Sequence, residues 1–467
     1  MRLATGACCA ILAAAALPPP ARAQPATRGA APAAAGARPN IVLILADDLG
    51  AEAINAYGGE YFTPRIDELA RQGVLFTNAH AMPLCTPTRV RLMTGRESAK
   101  NYKAFGYLDP KERTIGNVLK DAGYATGIVG KWQLSGNGFD GRVGASPQPA
   151  GFDESLLWQE KALDAKGSRY WGPTLSTNGQ NRINESGFGP DVQAGFALDF
   201  IQRHKDEPFF LYYPMVLTHP PFVPTPDSPG AKDDKTRFAG MVTYMDKLVG
   251  QVTDQLKALG LDKNTIVIFT GDNGTAKQIL SYQNGYPVRG GKGQATFAGT
   301  HVPLIARWPG QLPAGETRAG LFDLMDMLPT LADFAGAPVA AGGIDGVDQA
   351  PVMRGETAAA RDWIFMHYAP VWIQTPARLV FDDKWKLYGD GRFVAIDGVR
   401  ATETPVESAP PHSAAAARRA AFQHVLDAMH DGPLDQDRYP MCIGKPSLDP
   451  KLPSVRAGCR FSEGAVE

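Results

Sequence analysis

The chain has 467 residues, of which 44% are hydrophobic and 20% charged, enough to bury a large core in one large domain with a smaller one beside it. A formal net charge of -1 offers no basic face for nucleic acid. Charge excludes that partner and says nothing of the substrate.

The N-terminus reads as a signal peptide over residues 1–23. Arg2 supplies a small positive region, residues 10–17 are apolar, and Ala21-Arg22-Ala23 fits a small-x-small cleavage site before Gln24. The apolar run is too short to span a bilayer as a helix. Residues 24–37, rich in Ala, Pro and Gly, read as a flexible leader. The expectation is export to the periplasm or beyond, with no membrane span in the mature chain and a charge still near neutral. Cleavage removes Cys8 and Cys9 and keeps Cys85, Cys442 and Cys459. The last two lie in a Pro-rich tail, as a pair or as two free thiols, and an oxidising compartment favours the pair.

Residues 41–46 are an unbroken apolar run rich in β-branched side chains, the pattern of a strand covered on both faces, and Asp47 and Asp48 follow it. Thr63-Pro64 then opens a helix, with the threonine hydroxyl as cap, that closes at Gly73. The same grammar returns. A helix over 114–123 precedes a strand over 124–129 and then Lys131; a helix over 191–204 precedes a strand over 209–216 and then His219. A helical spacing of apolar residues over 238–259 leads to a strand over 265–270, followed by Asp272 and Asn273. Alternation of this kind predicts an α/β fold whose mostly parallel sheet is sandwiched by helices. The polar residues named fall just past strand C-termini, where open α/β sheets place their ligands. Beyond Gly343 the pattern changes: 363–368 and 378–388, the latter with the turn Asp382-Asp383-Lys384, read as antiparallel strands, and 413–430 as a helix. The chain therefore divides at about 38–343 and 344–467.

Asp47, Asp48, Asp272 and Asn273 form an all-oxygen donor set of the kind hard divalent cations prefer. Lys131 and Lys292 can fix an anion, and the unperturbed pKa of a histidine suits His219 to proton donation. Gly290-Gly291-Lys292-Gly293 is not a phosphate loop, because it lacks the earlier glycine and the following Ser or Thr.

Cys85-Thr86-Pro87-Thr88-Arg89 completes the set. With Arg38-Pro39-Asn40 and its strand, Gly130-Lys131-Trp132, Thr218-His219, Thr270 to Gly274 and Gly290 to Gly293, in that order, it resembles the type I sulfatases of the alkaline phosphatase-like superfamily. The resemblance covers about residues 38–390 and implies that superfamily's large central sheet with a small C-terminal α+β subdomain. It further implies that a maturation enzyme, reading Pro87 and Arg89, oxidises Cys85 to formylglycine. Asp47, Asp48, Asp272, Asn273 and the modified Cys85 would then hold one divalent cation, in this family usually calcium. Lys131 and Lys292 would bind sulfate, His219 would protonate the leaving alcohol, and Arg89 would hold the hydrated aldehyde. In such enzymes one hydroxyl of the gem-diol attacks sulfur and the alcohol leaves; the second then loses its proton and sulfate is expelled as the aldehyde re-forms.

Two positions depart from the pattern. Thr88 replaces the commonest serine and keeps the hydroxyl. Gln133 stands where the family frequently has histidine, a candidate base for sulfate elimination; glutamine can bind the diol or the sulfate yet takes no proton. The base then falls to His80, His219 or a metal-bound carboxylate. The expected activity is hydrolysis of sulfate monoesters, on sulfated carbohydrates before small aryl sulfates, with phosphate or phosphonate monoesters as the alternative within the superfamily. Without conversion of Cys85 the chain would be a silent sugar-binding homologue. Trp158, Tyr170, Trp171, His367, Trp372 and Arg378 are candidate sugar contacts.

Overall fold

The structure, a computed structural model, describes residues 38–136, 143–160, 167–184, 186–339, 342–370 and 377–429. The signal peptide, the leader, Trp372, Cys442 and Cys459 lie outside the described residues.

The strands in chain order are β1 (Asn40–Ala46), β2 (Val74–His80), β3 (Ala125–Lys131), β4 (Glu154–Trp158), β5 (Thr174–Thr177), β6 (Gln180–Asn184), β7 (Phe209–Pro214), β8 (Thr265–Gly271), the hairpin β9 (Leu280–Gln283) and β10 (Tyr286–Arg289), β11 (Leu304–Arg307) and β12 (Glu316–Asp323). All but the hairpin join one sheet in the order β12-β2-β11-β8-β1-β7-β3-β4-β5-β6. Its centre, β8-β1-β7-β3-β4, is parallel. Only β11 and β5 run against it.

The helices are α1 (Pro64–Arg71), α2 (Cys85–Thr94), α3 (Ser98–Asn101), α4 (Ile115–Asp121), α5 (Gly189–Arg203), α6 (Asp234–Ala258), α7 (Phe297–Thr300), α8 (Met327–Ala335), α9 (Ala350–Arg354) and α10 (Ala414–Ala428). Every residue of β1 is buried. Its Ile41, Leu43 and Leu45 pack with α2, α4 and α8, while Val42 and Ile44 pack with α1, α5 and α6. The sheet is thus covered on both faces, which is why its strands read as apolar runs rather than alternations. Among the described residues no helix is long and apolar enough to cross a membrane.

The threonine expected to cap α1 does otherwise. Thr63 Oγ1 accepts from Asn55 N and donates to Asp67 Oδ1, and the first amides of the helix, Arg65 N and Ile66 N, donate to Asp246 of α6 at 3.0 and 2.8 Å. Thr63 makes no side-chain cap, and a carboxylate on the neighbouring helix takes those amides instead. By contrast Thr114 caps α4, in a reciprocal pair with Asn117.

The C-terminal part forms a second, antiparallel sheet of β13 (Ile364–Tyr368), β14 (Ala377–Phe381), β15 (Trp385–Tyr388), β16 (Phe393–Asp397) and β17 (Thr402–Pro405), in sequence order. Ile364, Met366, Leu379 and Phe381 on one face cluster with Met82, Leu84 and Cys85. Phe365, Val380, Leu387 and Phe393 on the other are covered by Phe422 and Leu426 of α10. The small sheet is therefore a wall behind the cysteine.

Candidate active site

Cys85 is the first residue of α2 and is buried. Arg89 follows one turn later on the same side, as an i to i+4 spacing dictates. Its guanidinium grips Asp272 Oδ2 through Nε and Nη2, at 3.1 and 2.8 Å, and donates to Lys131 O. Thr88 turns its hydroxyl back to Met82 O and Leu84 O, a bond that serine makes equally well, so that departure is silent.

The parallel strands deliver the remaining groups to one edge of the sheet. Asp47 and Asp48 leave β1, Lys131 ends β3, and Asp272 and Asn273 leave β8. His219 lies beyond β7, on a loop tied to β1 by Asp47 N to Leu217 O and Thr218 N to Asp47 O. Lys131 Nζ sits 2.9 and 3.1 Å from the two Asp47 oxygens, and Lys292 Nζ 2.7 Å from Asp48 Oδ2. The structure thus brings together Cys85, Arg89, Lys131, Gln133, His219, Lys292 and the four oxygen-bearing residues.

Ligand atoms of Asp47, Asp48 and His219 lie within 4.8 Å of one another, so these three could hold a metal ion. Asp272 turns aside from that group. Its Oδ2 is held by Arg89 and its Oδ1 accepts from Asp48 N. Asn273 donates Nδ2 to Asp48 Oδ1 at 2.8 Å, and its own Oδ1 is buried without a hydrogen-bond partner. An orphaned buried oxygen beside two carboxylates suits a hard cation, so the residues fit one.

Charge is distributed unevenly. Burial pushes the Asp47 carboxyl up, but Lys131, Arg89, Arg169 and Lys292 outweigh it and bring it below its ordinary value. Burial, with repulsion from Asp47, raises Asp48 and takes Asp272 up to about 7 despite their basic partners. Burial likewise raises the Cys85 thiol. His219 differs from the near-neutral donor its residue type suggested. Burial first, then Arg169, Lys292 and Lys131, hold it well below the ordinary value, so the imidazole is neutral at pH 7. Its Nδ1 faces Pro220 O at 2.5 Å and so carries the proton, while Nε2 accepts from Lys292 Nζ at 2.9 Å.

Gln133 reaches the nucleophile position directly: the Cys85 thiol donates to its Oε1 at 3.3 Å. The backbone there has φ +55°, held by Gln133 N to Gln159 O. His80, read as a stand-in base, is instead packed among Phe297, His301 and Phe381 with Nδ1 on Thr300 Oγ1. The sugar-contact candidates mostly serve the frame. Trp158 is buried under Arg169, Tyr170 bonds Val216 O and His219 O, His367 is buried in β13, and Arg378 donates to Leu426 O and Met429 O. Trp171 alone of those described is well exposed. The group missed from sequence is Arg169, which reaches 3.8 Å from Asp47 Oδ2. It lies in a loop with no motif, and no signal in its neighbourhood marks it.

Basic groups converging on a would-be anion, around a nucleophile position at the C-terminal edge of a parallel sheet, are what a hydrolase of charged esters needs. The chain belongs to the sulfatase family, whose model matches residues 39–337, and it is a sulfuric ester hydrolase. It is 32% identical over 377 residues to an N-acetylgalactosamine-6-O-sulfatase of Bacteroides thetaiotaomicron, covering 65% of this chain and 73% of that one. To arylsulfatase A of Bos taurus it is 33% identical over 375 residues, covering 73% and 72%. The fold is shared with the crystal structure of Ps i-CgsB, at a TM-score of 0.68 and 24% identity over 84% of this chain and 92% of that one.

Proposed function

We propose that the enzyme removes sulfate from sulfated carbohydrates after a maturation enzyme has converted Cys85 to formylglycine. The observation that carries this reading is Cys85 opening α2 with Gln133 Oε1 at 3.3 Å and, one turn on, Arg89 clamped to Asp272. The sulfur marks where the oxygens of a hydrated aldehyde would stand. Asp47, Asp48, Asp272, Asn273 and the modified residue would hold one hard cation, calcium before any transition metal, because the donors are oxygens. When bound, such an ion polarises the sulfuryl oxygens. Lys131 and Lys292 fix the sulfate, Arg89 orients the nucleophile, Gln133 hydrogen-bonds it, and the His219 and Lys292 pair faces the departing alcohol. The carbohydrate class is supported by the name of the Bacteroides relative, an amino-sugar 6-O-sulfatase. Residues 1–23 would direct export to the periplasm or beyond, with 38–343 the catalytic part and 344–467 the smaller one.

Peptide mass spectrometry of active protein is expected to show the Cys85 peptide lighter by about 18 Da, sulfur and two hydrogens having given way to a carbonyl oxygen. Desulfation of a panel of sulfated mono- and disaccharides, followed by anion chromatography beside nitrophenyl sulfate and nitrophenyl phosphate, is expected to favour a sugar. Full activity with an unmodified thiol would overturn the chemistry; faster phosphate release would overturn the ester class.

A further inference from the structure

Lys292 stands on a loop that has little stiffness of its own. Gly290, Gly291 and Gly293 surround it, Gly293 with φ +76°, and residues without a Cβ leave the backbone many shapes to choose from. Toward the large sheet and α2, Lys292 N donates to Thr275 O at 3.0 Å and Gly293 N to Pro83 O at 2.6 Å. The small sheet takes hold farther along. Tyr368 of β13 donates its hydroxyl to Gly293 O at 3.3 Å, and Lys386 of β15 donates Nζ to Ala295 O at 3.3 Å. Glu403 of β17 accepts from Phe297 N, the first amide of α7, at 2.6 Å, where Thr296 makes no side-chain cap of its own.

Glu403 joins these contacts. Its Oε1 also accepts from Lys386 Nζ, and its Oε2 lies 2.7 Å from the Tyr388 hydroxyl, which in turn is 3.0 Å from Ala295 O. Lys386 is fully buried and the Glu403 side chain 12% exposed, although the rest of β17, at the edge of the sheet, faces solvent. For stability alone, well-packed apolar side chains would serve as well as such a pair. They could neither accept the Phe297 amide nor donate to Ala295 O. At the other end of the loop Lys292 Nζ stands 2.7 Å from Asp48 Oδ2 and 2.9 Å from His219 Nε2, so the path of this backbone decides where the ammonium points.

We propose that Glu403, with Lys386 and Tyr388, is a positioning residue that holds the Lys292 loop in its working shape. The small C-terminal sheet thereby sets the place of a cation that serves the large one. This deepens the proposed function and rests on the sulfate-binding role given there to Lys292.

Glu403→Ala is expected to lower kcat/KM on nitrophenyl sulfate about 10 to 100 fold, the scale of a binding group moved out of place. Urea unfolding checks that the variant is folded under assay conditions. Glu403→Gln keeps an acceptor for Phe297 N and should recover part of the loss. Tyr388→Phe, which deletes one hydroxyl, should lose less and is read in the same way if Glu403→Ala does not fold. Amine acylation followed by peptide mass spectrometry separates positioning from general loosening. Lys292 should label about tenfold faster in Glu403→Ala, while Lys131, buried against Asp47, labels no faster. On a Lys292→Ala background, adding Glu403→Ala should change kcat/KM by no more than about twofold, because the residue through which it acts is gone. Unchanged labelling of Lys292, an equal rise at Lys131, or fully additive losses in the double variant would overturn this proposal and leave the sulfatase chemistry standing. Wild-type activity in Lys292→Ala would instead overturn the role given to Lys292, and this proposal with it.

Discussion

Gln133 binds where the family's pattern places a proton acceptor, and its amide can only hydrogen-bond. Its Oε1 contacts the Cys85 position directly, and its positive φ is stabilised by the bond to Gln159 O. If it orients the nucleophile and nothing more, Gln133→Ala loses one hydrogen bond to a charged transition state, and kcat falls about 10 to 100 fold in steady-state assays. A collapse by many more decades would give the amide a larger part. The place proposed for the His219 and Lys292 pair, beside the leaving group, makes a different prediction. His219→Ala should damage turnover of alkyl or sugar sulfates far more than of nitrophenyl sulfate, whose phenolate leaves without help. Equal damage on both would remove the His219 and Lys292 pair, whose available proton is on Lys292, from protonation of the leaving alcohol. Both residues were visible as motif positions, but the neutral imidazole was not, since it arises from burial among cations that meet only in the fold.

At the level of elements, the central strands were readable because burial on two faces leaves an uninterrupted apolar run, as in β1, β7 and β8. Others were not. β2 mixes buried and half-buried positions without regular alternation, β12 begins exposed, and β11 has four residues, so each takes its identity from pairing rather than from its own sequence. The cap of α1 belongs to the same class of facts. Asp246 lies 180 residues from Ile66, whose amide it accepts. Asp246→Ala should cost about 1 to 2 kcal/mol in urea unfolding, as loss of an N-terminal cap does. Burial is the main cause that lifts the Asp246 carboxyl from 3.8 to about 6; Asp67 adds to it, while the Ile66 and Arg65 amides and the Arg65 charge oppose it. A folded-state value above the unfolded one means that the native state holds the proton more tightly, so this group's contribution to stability grows as pH falls from above 6 toward 4. Asp246→Asn keeps an acceptor and removes the titration. Its stability relative to wild type should therefore decline as pH is lowered from 7.5 to 5, and a constant difference would show that the carboxyl is not perturbed in the native protein.

For the whole molecule, the cluster at the sheet edge is a place where the fold stores charge at a cost. Three buried carboxylates converge there, with Asp272 raised to about 7 by burial and by Asp47 although Arg89 and Lys131 stand against it. Sequence order alone put all three at strand ends, because parallel strands necessarily end on one side. It could not show that Arg89 and the two lysines would each claim one of them, which depends on how α2 and the loop of Lys292 pack across the edge. A cation taken up by these oxygens binds the native chain and not the unfolded one, so it must stabilise the fold by mass action. Chelation is expected to lower Tm, and free calcium at about 100 times Kd to add about 2.7 kcal/mol over the stripped protein. Asn273→Ala, which removes the buried Oδ1 that lacks a partner, should weaken the calcium-dependent rise more than it changes the Tm of the stripped protein. A Tm indifferent to both chelator and calcium would mean that the basic side chains, rather than an ion, are what this carboxylate cluster was built to hold.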